Sequence, residues 1–207
     1  MDDKLIIFDL DGTLYKTEEV SVPALKDAFS RFGIMLSGET ILNQFGEPTD
    51  QIIENLVPEE KEHLKDRIKK AIIEKESELI PEKATLYDGV KSLLKDLKES
   101  GYELAICSNG RTDYIERVLK TTSIESYFTS IKGHEKGKKK SDLIQELMSE
   151  FSVESAVMVG DRYHDIEAAK KAGVKSVGAL YGYGDAEAKK ADFVIEEPEE
   201  ILSIISD

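Results

Sequence analysis

Two carboxylates two positions apart, Asp9 and Asp11, lie in the segment Phe8-Asp9-Leu10-Asp11-Gly12-Thr13, directly after the apolar run Leu5-Ile6-Ile7-Phe8. Strict β alternation would send the pair to opposite faces of a sheet, so a turn must intervene before both can reach one cation. Gly12 permits that turn, and Thr13 is placed to cap the backbone that follows. Burying like charges together is costly unless a metal ion or a shared proton relieves them. In an open α/β sheet, ligands bind in the crevice outside the carboxyl ends of the strands. An Asp pair at a strand end belongs to that crevice. Read blandly, the segment is an Asp-Gly turn that closes a strand.

Three further segments offer complementary chemistry. Cys107-Ser108-Asn109-Gly110 ends an apolar run and opens onto a helical pattern. The Ser108 hydroxyl and the backbone N–H groups around Asn109 suit an anion, although Ser-Asn-Gly is also a common turn. Lys138-Lys139-Lys140 precedes another helix, and a lysine reaching into the crevice would neutralise developing phosphoryl charge. Lys140, nearest the helix start, is the choice for that lysine, with Lys139 as the fallback and the rest a surface basic cluster. Val159-Gly160-Asp161-Arg162-Tyr163-His164-Asp165 adds a second carboxylate pair, four apart, with Asp161 at a strand end and Asp165 in the first helical turn. Carboxylate oxygens completed by water are what Mg²⁺ prefers, while Asp at a helix start is also an ordinary cap. His164 reads as a loop residue, and His63 and His134 lack partners at ligand spacing.

These residues need elements to position them. Apolar β-type runs recur at 4–8, 102–107, 156–160, 175–180 and 192–195. Between the later runs, helical periodicity appears at 88–100, 112–120, 141–151 (with Ser141 as N-cap) and 165–172. Alternating strands and helices predict a parallel sheet covered on both faces. Residues 15–84 break that rhythm with helical patterns alone. Pro23 lies near a helix start and Gly33 ends that helix; Ile41, Leu42 and Phe45 form a short pattern, and Ile52, Ile53 and Leu56 another. Pro58 then opens a longer helix with Leu64, Ile68, Ile72 and Leu79 on one face, and the many Lys and Glu read as a solvated face.

Composition narrows the classes of partner. The formal charge is −14, from 28 Lys and Arg against 42 Asp and Glu, which argues against nucleic acid and anionic membranes. No stretch approaches the roughly 18 consecutive apolar residues of a membrane span. Met1-Asp2-Asp3 is acidic where a signal peptide is basic, and the single cysteine, Cys107, suits a reducing cytoplasm.

Taken in order, Asp9-Leu10-Asp11-Gly12-Thr13, Ser108, Lys140, and Gly160-Asp161 with Asp165 resemble the motifs of the haloacid dehalogenase superfamily. The run from Gly160 to Ala169 and the segment Gly178-Ala-Leu-Tyr-Gly-Tyr-Gly184 look most like its phosphoglycolate phosphatase and 5′-nucleotidase-like branch. The resemblance implies a Rossmann-like α/β core over 1–14 and 84–207, with 15–83 a small all-helical cap inserted after the first strand. It implies that Asp9 is a nucleophile forming an aspartyl-phosphate and that Asp11 is the general acid and base. Ser108, Asn109 and Lys140 would hold phosphate. Mg²⁺ would be bound by Asp9, the backbone carbonyl of Asp11 and Asp161, with Asp165 in support. Dehalogenases of the superfamily lack an acid at the position of Asp11, so phosphoryl chemistry on a small metabolite is expected, from a monomer or homodimer. The loop Phe45-Gly46-Glu47-Pro48 lies where relatives place specificity residues, while Lys16 and Glu18-Glu19 make the entrance unusual for phosphoglycolate. A pyrophosphatase, a nucleoside-monophosphate phosphatase and a sugar-phosphate mutase share the same chemistry. A phospho-accepting signalling module is disfavoured by the helical insertion.

Overall fold

The computed structural model describes residues 5–205. Lys4, expected to begin the first strand, and the acidic Met1-Asp2-Asp3 lie outside the described residues. Six strands form one parallel sheet: β1 (Leu5–Phe8), β2 (Glu103–Cys107), β3 (Ser130–Lys132), β4 (Val157–Gly160), β5 (Lys175–Ala179) and β6 (Phe193–Ile195). Their spatial order is β3-β2-β1-β4-β5-β6. The chain therefore reverses its direction of travel across the sheet beside β1, which pairs with β2 on one side and β4 on the other. A crevice at the carboxyl ends of these strands follows from that switch.

The core shows why the strands read as continuous apolar runs. Ile6 and Phe8 of β1 join one buried cluster, whereas Leu5 and Ile7 join the cluster on the opposite face. Period-2 alternation with both faces covered demands apolar residues at every position. Helices α5 (Val90–Glu99) and α6 (Thr112–Thr121), with the terminal α10 (Ile201–Ile205), cover the first face. Helices α7 (Lys140–Phe151) and α8 (Tyr163–Ala172) cover the second. A short α9 (Asp185–Ala188) lies between β5 and β6.

Between β1 and α5 the chain is helical: α1 (Glu18–Ser30), α2 (Gly38–Leu42), α3 (Thr49–Leu56) and α4 (Lys65–Lys83). These pack around a separate apolar cluster that includes Phe29, Ile41, Ile53, Ile68 and Ile72. The roots of the segment, Val20, Ala24, Leu79 and Ile80, belong instead to the cluster on the sheet.

Several local expectations need correction. Strand β3 was not expected: it is three residues at the sheet edge with one apolar side chain, too short to carry a periodic signal. Helix α1 starts at Glu18, so Pro23 lies inside it rather than at its start. The segment after Pro58 is a 3₁₀ turn over Glu59–Leu64 before α4 begins. Ser141 is not an N-cap but the second residue of α7; the carboxylate of Asp142 accepts a hydrogen bond from the backbone N–H of Lys139 at 2.9 Å, and closes the helix start. The Thr13 hydroxyl is buried without a hydrogen-bond partner, and the turn is closed by backbone, Leu14 N–H to the Leu10 carbonyl at 3.0 Å. His164 lies in the first turn of α8 rather than in a loop.

Candidate active site

The site begins where β1 ends. The backbone N–H of Asp9 donates to the carbonyl of Val159 at 2.8 Å, which ties the end of β1 to β4. Asp9, Asp161 and Asp165 are all buried, and one carboxylate oxygen from each lies within 4.8 Å of the others. The first residue of α7 completes the group: Lys140 Nζ donates to Asp9 Oδ1 at 2.6 Å and to Asp165 Oδ1 at 2.5 Å. Of the two candidate lysines, Lys140 reaches the crevice, while Lys139 is exposed. Lys138 pairs with Glu135 and Glu146 on the surface.

Asp165 makes two contacts. Its Oδ2 caps α8 by accepting the backbone N–H of Arg162 at 3.0 Å, and its Oδ1 receives Lys140. Asp161 follows β4 and accepts the backbone N–H of Tyr183 through Oδ2 at 2.7 Å, while its buried Oδ1 has no hydrogen-bond partner. Gly12 makes this closeness possible. It takes φ +80°, and a Cβ there would stand 2.5 Å from Asp161 Oδ2.

Asp11 is oriented differently. Its carboxylate accepts the Thr17 hydroxyl and the Tyr114 hydroxyl, each at 2.8 Å, and stays outside the acidic trio. The turn thus separates Asp9 and Asp11 instead of aiming both side chains at one point. The Ser108 hydroxyl, at the end of β2, accepts the backbone N–H of Gly110 at 3.1 Å. The Asn109 amide reaches into the helical segment and donates to the Gly46 carbonyl at 2.8 Å.

Three buried carboxyl groups, Asp9, Asp161 and Asp165, and the half-buried Asp11 surround a single lysine, and the proton affinities of Asp9, Asp11 and Asp161 reflect it. Burial pushes the Asp9 carboxyl well above the usual range; Lys140 opposes the shift, while Asp165, Asp11 and Asp161 add to it. Burial also raises Asp11, against the hydrogen bonds from Thr17 and Tyr114. Asp161 is pushed to about 7 by burial and by Asp165 beside it. Burial disfavours the Lys140 ammonium, but Asp165 and Asp9 outweigh that cost and raise its pKa, so it stays protonated. One ammonium cannot balance four carboxylates in a dry site. The charge deficit and the unpartnered Asp161 Oδ1 fit a divalent cation held by oxygen donors.

The helical segment roofs the crevice. Leu25, Phe45, Ile52 and Ile72 line its far wall, with Glu76 from α4 among them. Glu76 and Arg111 meet across the cleft at 3.1 Å. Neither was anticipated from sequence. Glu76 did leave a trace, since it falls in the same face of α4 as Ile68, Ile72 and Leu79, all buried. A carboxylate within an apolar stripe is a signal that the bland reading of the Lys and Glu as solvated passed over. Arg111, Tyr114 and Tyr183 carry no comparable mark, because only the folded chain brings them to the site.

The haloacid dehalogenase-like hydrolase family profile matches residues 6–179. The chain is 29% identical over 212 aligned positions to the pyrophosphatase PpaX of Listeria monocytogenes, covering 98% of this chain and 96% of that protein. It is 28% identical to a phosphoglycolate phosphatase of Vibrio parahaemolyticus, covering 99% and 97%. Among solved structures it superposes on a predicted phosphoglycolate phosphatase from Haemophilus somnus with a TM-score of 0.88 and 25% identity, over 99% of both chains. Sheet order, strand-end carboxylates and sequence match agree, and the chain belongs to the haloacid dehalogenase-like hydrolase family.

Proposed function

We propose that this hydrolase is a Mg²⁺-dependent phosphatase of small phosphorylated metabolites that works through an aspartyl-phosphate on Asp9. The observation that carries this reading is the strand-end cluster in which Lys140 bridges Asp9 and Asp165 beside the unpartnered Asp161 oxygen, with Asp11 held apart next to it. Asp9, Asp161 and the backbone carbonyl of Asp11 would hold the cation, with Asp165 in support. When bound, Mg²⁺ supplies the positive charge that keeps Asp9 ionised and offsets the charge of the phosphoryl oxygens.

The protein's own groups then divide the work. A carboxylate oxygen of Asp9 attacks phosphorus and forms a new P–O bond while the ester P–O bond breaks. The departing electron pair stays on the leaving oxygen, which takes the proton of Asp11. Burial raises the Asp11 carboxyl, and this favours the protonated form that the step requires. In the second half, water attacks the phosphoryl group and gives its proton to the Asp11 carboxylate. Asp9 leaves as carboxylate and inorganic phosphate is released. Ser108, the backbone around Asn109 and Lys140 hold the phosphoryl oxygens throughout.

The helical segment serves as the cap. Its loop at 45–48 is seated on the core by Asn109 and by the contact of Glu47 with His164 at 3.1 Å. Closure over the crevice excludes water from the first transfer. The single buried Cys107 and a −14 charge suit a cytoplasmic enzyme, active as a monomer or homodimer, with neither nucleic acid nor membrane as partner. The test is phosphate release from a panel of phosphate esters, with Mg²⁺ and with EDTA, using Asp9→Asn as control. Release that requires both Mg²⁺ and Asp9 supports the reading, and metal-independent release overturns it.

A further inference from the structure

The charges in the roof of the crevice bear on what the leaving group carries. Three cations and a histidine line the cleft, and each already faces an acid. Lys140 is bound by Asp9 and Asp165. Arg162 meets Glu187 at 3.1 Å, and His164 meets Glu47 at 3.1 Å. Arg111 is the cation nearest the apolar wall, and its guanidinium is engaged at every nitrogen. It reaches Glu76 at 3.1 Å, Asp113 at 3.2 Å and the Thr49 hydroxyl at 3.4 Å. Its side chain is 19% exposed and that of Glu76 9%. Beyond the phosphoryl-binding end, the described residues therefore present apolar surface and neutralised ion pairs, with no free cation for a second anionic group.

We propose that Glu76, by pairing Arg111, sets the charge specificity of the leaving-group pocket, so that the enzyme selects phosphate monoesters with an uncharged, partly apolar leaving group over those carrying a carboxylate or a second phosphoryl group. The inference rests on the phosphatase reading and deepens it. A carboxylate or phosphate entering the pocket must either remain unpaired beside Glu76 and Asp11 or displace Glu76 from Arg111, leaving that carboxylate buried without its cation. An apolar or hydroxyl-bearing group instead packs against Leu25, Phe45, Ile52 and Ile72 and leaves the ion pair undisturbed. Glu76 is on this account a positioning residue. It acts through Arg111 and takes no part in the chemical step.

The test, run at pH 8, compares two substrates of nearly equal size, 2-phosphoglycolate and 2-hydroxyethyl phosphate, which differ in a carboxylate against a hydroxymethyl group. Phenyl phosphate represents the apolar limit. The wild-type protein is expected to favour 2-hydroxyethyl phosphate over 2-phosphoglycolate in kcat/KM by about tenfold or more, with phenyl phosphate at least as good. Glu76→Gln leaves Arg111 with only Thr49 and the solvent-exposed Asp113 as partners, and is expected to collapse that ratio by about tenfold, by raising kcat/KM for 2-phosphoglycolate alone. A merely structural role would lower both substrates together. Kd values for the same pair, measured by calorimetry on Asp9→Asn with and without Glu76→Gln, give a second readout that needs no turnover. Absence of turnover with the predicted binding preference would overturn the phosphatase reading but support the charge selection. A wild-type preference for 2-phosphoglycolate, or an unchanged ratio in a Glu76→Gln protein with native circular dichroism, would overturn the charge selection.

Discussion

Asp9, Asp11 and Lys140 make separable demands on single side chains. Asp9→Asn keeps shape and removes the proposed nucleophile, so phosphate release should fall by at least about a thousandfold while circular dichroism stays native. Asp11→Asn keeps Asp9 but removes the group proposed as proton donor and base. Turnover should slow, and mass spectrometry should find one phosphoryl group retained on Asp9. Lys140→Ala should cost far more activity than Lys138→Ala, since Lys140 bridges Asp9 and Asp165 inside the crevice while Lys138 pairs with Glu135 and Glu146 outside it; equal losses would argue against Lys140 as the phosphate-binding lysine. Glu76 allows a prediction of the pH dependence of stability. Burial pushes its carboxyl from an ordinary 4.5 to about 7, against the pull of Arg111. The folded protein thus keeps a proton that the unfolded chain has lost, and stability drains away as pH rises from about 4.5 to about 7. That gap corresponds to roughly 3 kcal/mol. Urea unfolding of Glu76→Gln should match the wild type near pH 4 and exceed it by up to that amount at pH 8; parallel stability curves would show that burial does not govern Glu76.

At the level of elements, the loop between α2 and α3 is one of the places where the helical segment meets the core. Gly46 takes φ +96°, and a Cβ there would stand 3.2 Å from Arg162 Cγ. Gly46→Ala therefore strains the backbone by about 1–2 kcal/mol and pushes the loop off its seat on Asn109 and His164. A higher KM with the thermal transition of the core retained is expected, and an unaltered KM would remove the loop from substrate handling. The strands were legible in the sequence because β1 and β4, and β2 after Glu103, are buried on both faces and hold no charged side chain. The edge strand β3 was not, since Ser130-Ile131-Lys132 gives no period, and pairing with β2 alone makes it a strand. Helix starts were misplaced at Pro23 and Ser141 for a related reason: tertiary packing of α1 and the Asp142 contact to the Lys139 backbone decided where those helices begin.

For the molecule as a whole, the site is assembled from the ends of β1 and β4 and the starts of α7 and α8, so binding of the proposed cation would be linked to folding. A cation that binds only the assembled site raises the thermal midpoint with concentration. Mg²⁺ should raise the midpoint of the wild-type protein, EDTA should reverse it, and Asp161→Asn should abolish the response; a shift that survives in Asp161→Asn would place the cation elsewhere. Sequence by itself determined the parallel α/β core, the helical insertion and the strand-end positions of Asp9, Ser108 and Asp161, because apolar periodicity and turn chemistry are local properties. The tertiary structure alone decided which lysine enters the site, that Asp11 turns to Thr17 and Tyr114 instead of joining Asp9, and that Glu76 meets Arg111 from 35 residues away. Those choices depend on which segments the sheet order brings to one crevice and on how each buried charge finds a partner there, and no local pattern records either.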